Sequence, residues 1–471
     1  MTTAKRSSRK TKASVVEVAA SEPVFRSREE RVNAGRLLRD TVPRASHAAW
    51  KLPAKHRDPI AILEQSNEDR LPELIPIRYG RMLRSPFTFF RGSAALMAYD
   101  LATTPSTGIR VQACGDCHLL NFGLFATPER HLVFDLNDFD ETLPAPWEWD
   151  IKRLAASFAI AARDSGASDA RSRGAAVDCV RSYRERLREF SKMSPLEVWY
   201  ANLDVDSVIA RTTDKELKRA RQEMANKARQ RVAENLFPKI VQQVGGHPRI
   251  VDQPPFIFHV ADPEFMDKVR EGLEDYRASL SDERRVLLDR YRLVDAAIKV
   301  VGIGSVGTRC LIGLFFSEEN HPLILQFKES CRSVLEPYAG KSCYENQGER
   351  VVMGQRLMQS SSDIFLGWTR GRAGRDFFVR QLRDMKVSVP VEKVTPQQLR
   401  HYAGVCGLTL ARAHAKSGDA ATISGYLGKS DTFDEALGDF ALAYANQTEQ
   451  DHAVLVKAVN AGKLEVLVED E

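Results

Sequence analysis

A G-x-G-x-x-G motif between two segments of strand character constrains the fold of this chain more than any other sequence feature. The motif runs from Gly302 to Gly307, after Val300-Val301 and before the apolar run from Cys310 to Phe316. A Rossmann-type glycine motif follows a strand and opens a helix, so this motif predicts a different fold. With a further strand from Leu323 to Phe327, the pattern predicts an antiparallel hairpin or meander.

Composition places the chain among large globular proteins and excludes several function classes. It has 471 residues, of which 43% are hydrophobic and 28% are charged, enough to bury a sizeable core. The net charge of +5 gives no general case for a nucleic-acid partner, and acidic residues interrupt the basic stretch from Arg211 to Arg231. No apolar h-region follows the basic N-terminus, and no apolar run reaches the roughly 18 residues of a membrane span. With seven scattered cysteines, this favours reduced thiols and a cytoplasmic location.

Local patterns predict an α+β chain in four parts. Residues 1–28 are expected to be a flexible basic tail, and residues 29–290 a mainly helical lobe that also contains short strands. Residues 291–390 are expected to form a small lobe of strands, and residues 391–471 to add helices to the large lobe. The other predicted strands are Ile109–Gln112, Phe122–Phe125, Leu132–Phe134 and Phe377–Leu382, and the segment from Gly245 to Pro255 is predicted to be a loop.

Two segments in the first half carry candidate catalytic and metal-binding groups. Asp116 and Asn121 follow a predicted strand and are five positions apart, the spacing of a catalytic base and a magnesium-binding asparagine in phosphoryl transfer. Asp135, Asp138 and Asp140 lie within six residues and repel one another, which usually implies a cation. We therefore expect Asn121, Asp135 and Asp138 to hold Mg²⁺. Asp116 is expected to orient or deprotonate the hydroxyl of an acceptor.

Other interpretations of these two segments were weighed. An acidic cluster can be a turn with Asx caps, and any one of its residues alone would favour that interpretation. The run from Cys114 to His118 matches the C-x-x-C-H motif of covalent haem attachment, but that chemistry needs export and leaves the glycine motif unexplained. A zinc site on Cys114 and Cys117 lacks a matching second pair of cysteines.

The glycine motif and the strand after it supply candidates for holding ATP. Phosphoryl transfer needs a flexible backbone cradle over the phosphates and a cation on them. The cradle is expected to come from Gly302, Gly304, Ser305 and Gly307. Lys328 stands at the end of the next predicted strand, where a lysine can pair with the α- and β-phosphates.

The surroundings of this lysine complete the predicted nucleotide site. Its acidic partner is expected on the following helix, where Glu349 is the first candidate and Glu336 the second. The strand from Phe378 to Leu382 is expected to border the adenine, with Arg380 and Leu382 close to the nucleotide.

These residues together resemble the aminoglycoside and choline kinase branch of the kinase-like fold. That branch carries H-G-D-x-H-x-x-N, a strand ending in aspartate and an aspartate opening the next helix. Similar features here are Cys114 to Asn121, Asp135 and Asp150, with Cys114 in place of the first histidine. The branch's L-A-x-L-H motif is similar to Leu410–His414. The resemblance implies that Asp150 accepts hydrogen bonds from the catalytic loop.

The order of the motifs departs from that of the kinase branch. There the glycine loop comes first, whereas this chain begins at the catalytic loop and keeps the same cyclic order, which suggests a circular permutation. The resemblance therefore implies a circularly permuted, two-lobed protein-kinase-like fold with a helix-rich large lobe and a small antiparallel-sheet lobe. ATP and Mg²⁺ are the cofactors that it implies.

The chain also resembles, from about Glu29 onward, an uncharacterised bacterial family of domains of unknown function. The stretches that carry this resemblance are Phe89–Gly92, Cys114–Gly123, Asn137–Glu141, Gly302–Thr308, Gln359–Trp368 and Arg380–Asp384. Membership implies a kinase-like relationship but no established substrate. The expected activity is thus ATP- and Mg²⁺-dependent phosphoryl transfer to an unknown small-molecule hydroxyl. The alternatives are a pseudokinase-like module that binds nucleotide and AMP transfer to a protein.

Overall fold

A computed structural model describes residues 25–52, 57–300, 302–382 and 384–469 of the chain. It confirms the mixed α+β class, since helices predominate and the strands form several small antiparallel sheets. The predicted basic tail lies outside the described residues except for its last four positions, where the first helix begins at Arg28. Within the described part of the chain, no helix is both long and apolar enough to cross a membrane.

Helices and strands alternate along the chain in blocks. The α-helices are α1 (Arg28–Thr41), α2 (Pro59–Gln65), α3 (Ile75–Leu83), α4 (Pro86–Gly92), α5 (Ala94–Leu101), α6 (Trp147–Asp164), α7 (Asp169–Phe190), α8 (Pro195–Tyr200), α9 (Val205–Arg211), α10 (Lys215–Arg229), α11 (Ala233–Ile240), α12 (Phe265–Ala278), α13 (Asp282–Leu288), α14 (Glu336–Ala339), α15 (Gln347–Met358), α16 (Pro396–Ser417), α17 (Ala420–Leu427) and α18 (Thr432–Asn460). The strands are β1 (Arg110–Ala113), β2 (Phe122–Ala126), β3 (Leu132–Leu136), β4 (Leu143–Pro146), β5 (Val241–Val244), β6 (His247–Ile250), β7 (Ile257–Phe258), β8 (Arg292–Lys299), β9 (Cys310–Phe316), β10 (Pro322–Glu329), β11 (Gly367–Arg370), β12 (Asp376–Gln381) and β13 (Val387–Ser388).

The largest hydrophobic core lies among α6, α7, α16 and α18. The sequence predicted α6 with one buried face, but the helix is buried on almost all sides because α4, α7, α18 and β1 surround it. Helix α16 begins as predicted, with Thr395 and Gln398 forming a capping box before Pro396, and it ends at Gly418. Residues far apart in sequence therefore build one helical body.

The six-stranded antiparallel sheet has the order β11-β12-β10-β9-β8-β7. Successive side chains of β9 point to opposite faces, so Leu314 packs with Leu236 of α11 while Phe315 packs with Tyr276 of α12. Helices α11 and α12 therefore cover this sheet, although both precede the predicted lobe boundary at residue 291. The unit built on the sheet begins well before that boundary.

A three-stranded sheet, β13-β2-β3, joins the parts of the chain. Strand β13 follows the six-stranded sheet in sequence, yet Val387 pairs with Leu124 of β2, which comes directly after Asn121. The remaining pairs are β1 with β4 and β5 with β6. This connection brings the second half of the chain against the segment with the candidate catalytic residues.

Two local predictions differ from the structure. The predicted loop from Gly245 to Pro255 contains part of a hairpin, because Gly245 and Gly246 both adopt positive φ and turn β5 into β6. The strand before the glycine motif lies earlier than Val300, and Val301 is outside the described residues. Strand β8 was missed because charged residues interrupt its apolar pattern, among them Asp295, whose carboxylate accepts a hydrogen bond from the Ile250 amide.

Candidate functional site

One polar cavity of about 660 Å³ is lined by both groups of residues that the sequence singled out. The acidic segment (Asn137–Glu141) contributes Asp138, Asp140 and Glu141, and the glycine segment (Gly302–Thr308) contributes residues from the other half of the chain. The sequence-predicted site residues that line the cavity are Asp116, Asn121, Asp138, Gly302, Gly304, Ser305, Lys328 and Arg380. Segments separated by more than 160 residues therefore face one space.

Asp150, in the first turn of α6, fixes the start of the loop that holds Asp116. Its carboxylate accepts hydrogen bonds from the backbone amides of Cys114, at 2.7 Å, and Gly115, at 3.0 Å, which confirms the structural role implied for it. His414 Nε2 lies 3.3 Å from the same carboxylate, and His414 Nδ1 is 2.8 Å from the Tyr183 hydroxyl. A buried hydrogen-bond network thus fixes the position of this loop.

Asp116 presents one carboxylate oxygen to the cavity and uses the other in an ion pair. Oδ1 accepts a hydrogen bond from Arg153 Nε at 2.6 Å, and Arg153 is held by the Phe90 ring at 4.3 Å and the Phe90 carbonyl at 3.0 Å. Oδ2 lies 3.9 Å from His118 Nε2. It is also 3.9 Å from the point where a Cβ on Gly304 would lie. The free oxygen of Asp116 therefore faces the glycine segment.

Two neighbours of Asp116 set the chemistry of this loop. Burial lowers the pKa of His118 to about 4, although Asp116 acts in the opposite direction, so the imidazole is neutral near pH 7. The Asn121 side-chain amide donates a hydrogen bond from Nδ2 to the Asp116 carbonyl at 2.5 Å. The amide oxygen of Asn121 is therefore the end that can accept a cation.

Lys328 connects β10 to the acidic segment. Its ammonium group contacts the Asp140 carboxylate, lies 3.9 Å from Asp138 Oδ1, and is only 5% exposed. Burial would lower the pKa of Lys328, but the charges of Asp138 and Asp140 raise it above its ordinary value. The lysine is thus a fixed positive charge inside the cavity.

The pKa values of the two aspartates next to Lys328 shift in opposite directions. Burial alone would raise the pKa of Asp138, but Lys328, Arg380 and Lys386 outweigh it and lower that pKa well below its ordinary value. Burial and the neighbouring Asp138 charge raise the pKa of Asp140. Asp138 therefore remains ionised, and 37% of its side chain is exposed, so it is the carboxylate that can meet a cation in the cavity.

A direct hydrogen bond joins the acidic segment to the glycine segment. Ser305 Oγ lies 3.0 Å from Asp140 Oδ2, the same oxygen that contacts Lys328. The other carboxylate oxygen of Asp140 is buried and has no hydrogen-bond partner among the described residues. Gly115 allows the 114–121 loop to pack closely against the acidic segment, since it has a φ of 85° and a Cβ there would collide with the Glu141 carbonyl.

Asp135, one of the expected magnesium ligands, lies outside the cavity. It is fully buried, and both of its oxygens lie within 2.8 Å of Arg412 Nη2. The amide and hydroxyl of Ser360 donate further hydrogen bonds to it at 2.8 Å. The Asp135 carboxylate, on β3, is directed toward α16, which carries Arg412, whereas Asp138 comes after β3 ends and lines the cavity. Its carboxylate is therefore part of a structural ion pair.

Lys328 contacts the acidic segment, and not the glutamate that was expected on the following helix. Glu349 lies in the first turn of α15 but is not among the residues that line the cavity, and Glu336 instead accepts a hydrogen bond from the Ser342 amide. Helix α15 instead contacts this part of the chain through Arg350, the residue after Glu349. Buried Arg350 donates hydrogen bonds to the carbonyls of Asp140, at 2.8 Å, and Thr142, at 2.7 Å. Helix α15 thus supports the acidic segment.

Leu382 and Gly307 were also predicted to contact the nucleotide, but neither lines the cavity. The Leu382 amide donates to the Ile324 carbonyl at 3.0 Å, and its side chain packs against the apolar cluster beside α11. Gly307 has a φ of 90° and forms a turn whose carbonyl accepts a hydrogen bond from the Leu71 amide. The turn carries Thr308 to the cavity while Gly307 shapes the backbone.

Sequence reasoning missed several charged residues of the cavity. Arg70, Arg78, Arg91 and Glu141 all line it. Arg70 donates to the Gly304 carbonyl at 2.9 Å, and burial raises the pKa of Glu141 to about 7. Arg91 belongs to the stretch Phe89–Gly92, which carried the family resemblance but received no role. The sequences of α3 and α4 do not indicate that these helices lie beside the glycine segment.

The two cysteines of the 114–121 loop lie close to Asp150. The sulfur atoms of Cys114 and Cys117 and a carboxylate oxygen of Asp150 are within 4.8 Å of one another. Burial raises the pKa of both thiols, that of Cys117 to about 12, so they stay protonated. Among the described residues this group offers three ligand atoms, whereas a structural zinc site uses four.

Comparison with known proteins places most of the chain in one family. Residues 70–458 match the family model described as "Uncharacterized protein conserved in bacteria (DUF2252)". No curated protein and no solved structure matches the chain.

Proposed function

The chain belongs to this family of uncharacterised bacterial proteins, and we propose that it is an ATP- and Mg²⁺-dependent phosphotransferase with a kinase-like site. One observation carries the proposal: Lys328, the acidic segment and the glycine segment line one cavity, where Lys328 and Ser305 both contact Asp140. A positive charge, carboxylate and amide oxygens at the cavity wall, and a glycine-rich backbone are groups that phosphoryl transfer uses. A cavity of about 660 Å³ is large enough for a nucleotide and a small acceptor.

The nucleotide phosphates lie, in this proposal, between the glycine segment and Lys328. Gly302, Gly304 and Ser305 supply the backbone wall, and Arg380 adds a second positive charge. The guanidinium of Arg380 is placed by Gln326 at 3.3 Å and by the Phe378 ring at 5.3 Å. Both cations are held by neighbouring side chains, so they need little reorganisation to bind phosphate.

The residues beside Lys328 fit a magnesium ion. Mg²⁺ prefers oxygen ligands, and Asp138 with the amide oxygen of Asn121 offers two of them at the cavity wall. The buried Asp140 oxygen without a hydrogen-bond partner among the described residues offers a third. When bound, magnesium would neutralise the charge that develops on the phosphate oxygens.

Asp116 acts on the acceptor in this proposal. Arg153 holds Oδ1, which leaves Oδ2 directed toward Gly304 and the cavity. A carboxylate so placed can orient the acceptor hydroxyl and take its proton. The charge of Arg153 keeps the carboxylate in one orientation.

A circularly permuted kinase-like architecture is part of the same proposal. The support is that β10 carries Lys328 in the middle of an antiparallel sheet, with α15 packed on β11 and β12 of that sheet. The 114–121 loop and the acidic segment stand beside the helical core. The motifs keep the cyclic order of the resembled kinases but begin at the 114–121 loop, so the helical part of the site comes before the sheet that carries Lys328.

A nucleotide-binding module without transfer is the second candidate. The observation in its favour is that Arg153 already occupies one oxygen of Asp116, in a loop where Cys114 stands in place of a histidine. Such a module would bind ATP and Mg²⁺ without consuming the nucleotide. AMP transfer would instead release pyrophosphate and leave the α-phosphate on a protein.

One experiment separates these candidates. The purified chain is incubated with Mg²⁺, a metabolite extract and ATP labelled at either the γ- or the α-phosphate, and compared with Asp116→Asn. We expect γ-label in a small product, lowered about 10² to 10⁴-fold in the variant, with nucleotide affinity unchanged. Equal transfer by the variant would refute the role of Asp116, and α-label in protein would establish AMP transfer. Nucleotide binding without any turnover would support the nucleotide-binding module without transfer.

A further inference from the structure

Three of the five arginines that line the cavity lie close to one another. Arg70, Arg78 and Arg91 are neighbours, since the first two both donate hydrogen bonds to Ser66 and Arg78 also donates to the carbonyl of Gly92. Within the described residues none of the three forms an ion pair with a carboxylate. The cations that contact the two site aspartates differ, because Arg153 pairs with Asp116 and Lys328 with Asp140.

Arg91 is the member of this arginine cluster with the fewest contacts. Arg70 donates to backbone carbonyls of the glycine segment, and Arg78 donates to Asn67 and to the Gly92 carbonyl. The Nε of Arg91 is buried and has no hydrogen-bond partner among the described residues. Arg78 is buried, and Arg70 and Arg91 are half-buried. Nearby acidic groups act on Arg70 and Arg91 without forming an ion pair with them, so the cluster presents guanidinium groups that are suited to an anion in the cavity.

Arg91 lies on the side of the glycine segment that faces Asp116. The point where a Cβ on Gly304 would lie is 3.7 Å from the Arg91 carbonyl and 3.9 Å from Asp116 Oδ2. On the other side, Ser305 bonds to Asp140, which contacts Lys328. Arg91 is thus close to the carboxylate proposed to act on the acceptor, which also acts to raise the pKa of Arg91. The proposed metal ligands are next to Lys328.

We propose that the acceptor is a hydroxyl compound with an anionic group, a carboxylate or a phosphate, which Arg91 binds with support from Arg70 and Arg78. This inference rests on the proposed phosphotransferase function. In the transfer, the acceptor oxygen forms a bond to the γ-phosphorus and its proton passes to Asp116. The bond from the γ-phosphorus to the bridging oxygen breaks, and ADP leaves with the electron pair. Neutral and cationic alcohols lack the group that the arginines would hold.

The test is a calorimetric titration of the chain already saturated with Mg²⁺ and the non-hydrolysable analogue AMP-PNP. The probes are glycerate and glycerol 3-phosphate, which are anionic, and glycerol and choline, which are not. We expect the parent to bind at least one anionic probe, and Arg91→Gln to weaken that binding roughly 10- to 100-fold, the loss of a charged hydrogen bond. Arg91→Lys, which keeps the charge, should recover part of the affinity.

Arg171→Gln is the matched control, because it removes the same charge from an exposed position on α7, and it should bind the probes as the parent does. AMP-PNP affinity should change less than about twofold in Arg91→Gln, well under the 1.4 kcal/mol of a tenfold effect. The inference is overturned if AMP-PNP binds but the anionic probes bind no better than glycerol, or if Arg91→Gln binds them as the parent does. Loss of AMP-PNP binding in this variant would assign the arginines to the nucleotide. Absence of AMP-PNP binding by the parent would instead refute the proposed function.

Discussion

Ser305 Oγ and Asp140 Oδ2 lie 3.0 Å apart although the two residues are separated by 165 positions in the chain. The hydrogen bond joins the glycine segment to the acidic segment at the point where Lys328 also contacts Asp140. A serine, a lysine and a carboxylate from three segments therefore meet at one corner of the cavity. This corner is where the proposed function places the nucleotide phosphates and the cation.

Replacing Lys328 by methionine should weaken nucleotide binding. The change removes the buried cation of the cavity and leaves Asp138 and Asp140 to repel the phosphates. Loss of a charged hydrogen bond costs about 1.5–3 kcal/mol, so the Kd for ATP with Mg²⁺ should rise roughly 10- to 100-fold. Lys457→Met, at an exposed position on α18, is the control. Equal ATP affinity in Lys328→Met and the parent would show that Lys328 does not bind the nucleotide.

Asp138→Asn and Asp135→Asn should have different consequences. The first should fold normally and need more Mg²⁺ for half-maximal nucleotide binding, because an exposed cation ligand is lost. The second leaves the buried Arg412 guanidinium without its counter-charge, which should lower the free energy of unfolding by about 3–5 kcal/mol. Magnesium titrations and denaturant unfolding measure the two effects. Normal stability with a higher magnesium requirement in Asp135→Asn would restore that residue as a metal ligand.

Gly304→Ala should reduce phosphoryl transfer without reducing stability. The added methyl group would make ordinary contacts with the Arg91 carbonyl and Asp116 Oδ2, at 3.7 and 3.9 Å, so the fold can accept it. It would occupy the space between the base and the nucleotide. Gly174→Ala in α7 has no neighbour within 4 Å and serves as the control, with parent activity and an unchanged or higher melting temperature. Parent-level turnover in Gly304→Ala would place the acceptor elsewhere.

His47 should make the fold sensitive to acid. The ring is fully buried, with Nε2 2.7 Å from the Tyr426 hydroxyl, and burial together with the Lys152 charge lowers its pKa from 6.5 to about 3. Below pH 6.5 the unfolded chain binds a proton that the folded chain excludes, so stability falls as pH decreases from 6.5 toward 3. The contribution approaches about 1.4 kcal/mol per pH unit.

Urea unfolding between pH 7 and pH 4.5 measures this dependence. His47→Gln should show a shallower loss of stability on acidification than the parent, while His131→Gln, at an exposed position, should follow the parent. Identical slopes for His47→Gln and the parent would show that His47 is protonated in the folded chain.

Much of the local structure could be predicted from sequence, because its causes are local. The strand from Cys310 to Phe316 has the predicted bounds, and the capping box at Thr395 begins α16 as expected. The apolar spacing after Pro146 predicted α6. These features depend on residues within one turn or one strand, where periodicity and capping act.

The site was predicted in part, because spacing identifies a residue type but not the direction of its side chain. Asp135 and Asp138 are three positions apart, and only the end of β3 between them decides which one reaches the cavity. Glu349 was chosen because it lies on the helix after Lys328, yet the acidic segment supplies that contact. Arg91 could not be found from sequence, since its position depends on the packing of α4 against the glycine segment.

The most direct test of the central claim is a crystal structure of the chain grown with Mg²⁺ and AMP-PNP. We expect the triphosphate between the glycine segment and Lys328, with the metal within about 2.1 Å of a carboxylate oxygen of Asp138, as magnesium requires. A nucleotide bound away from this cavity, or one whose phosphates contact neither Lys328 nor Asp138, would contradict the account.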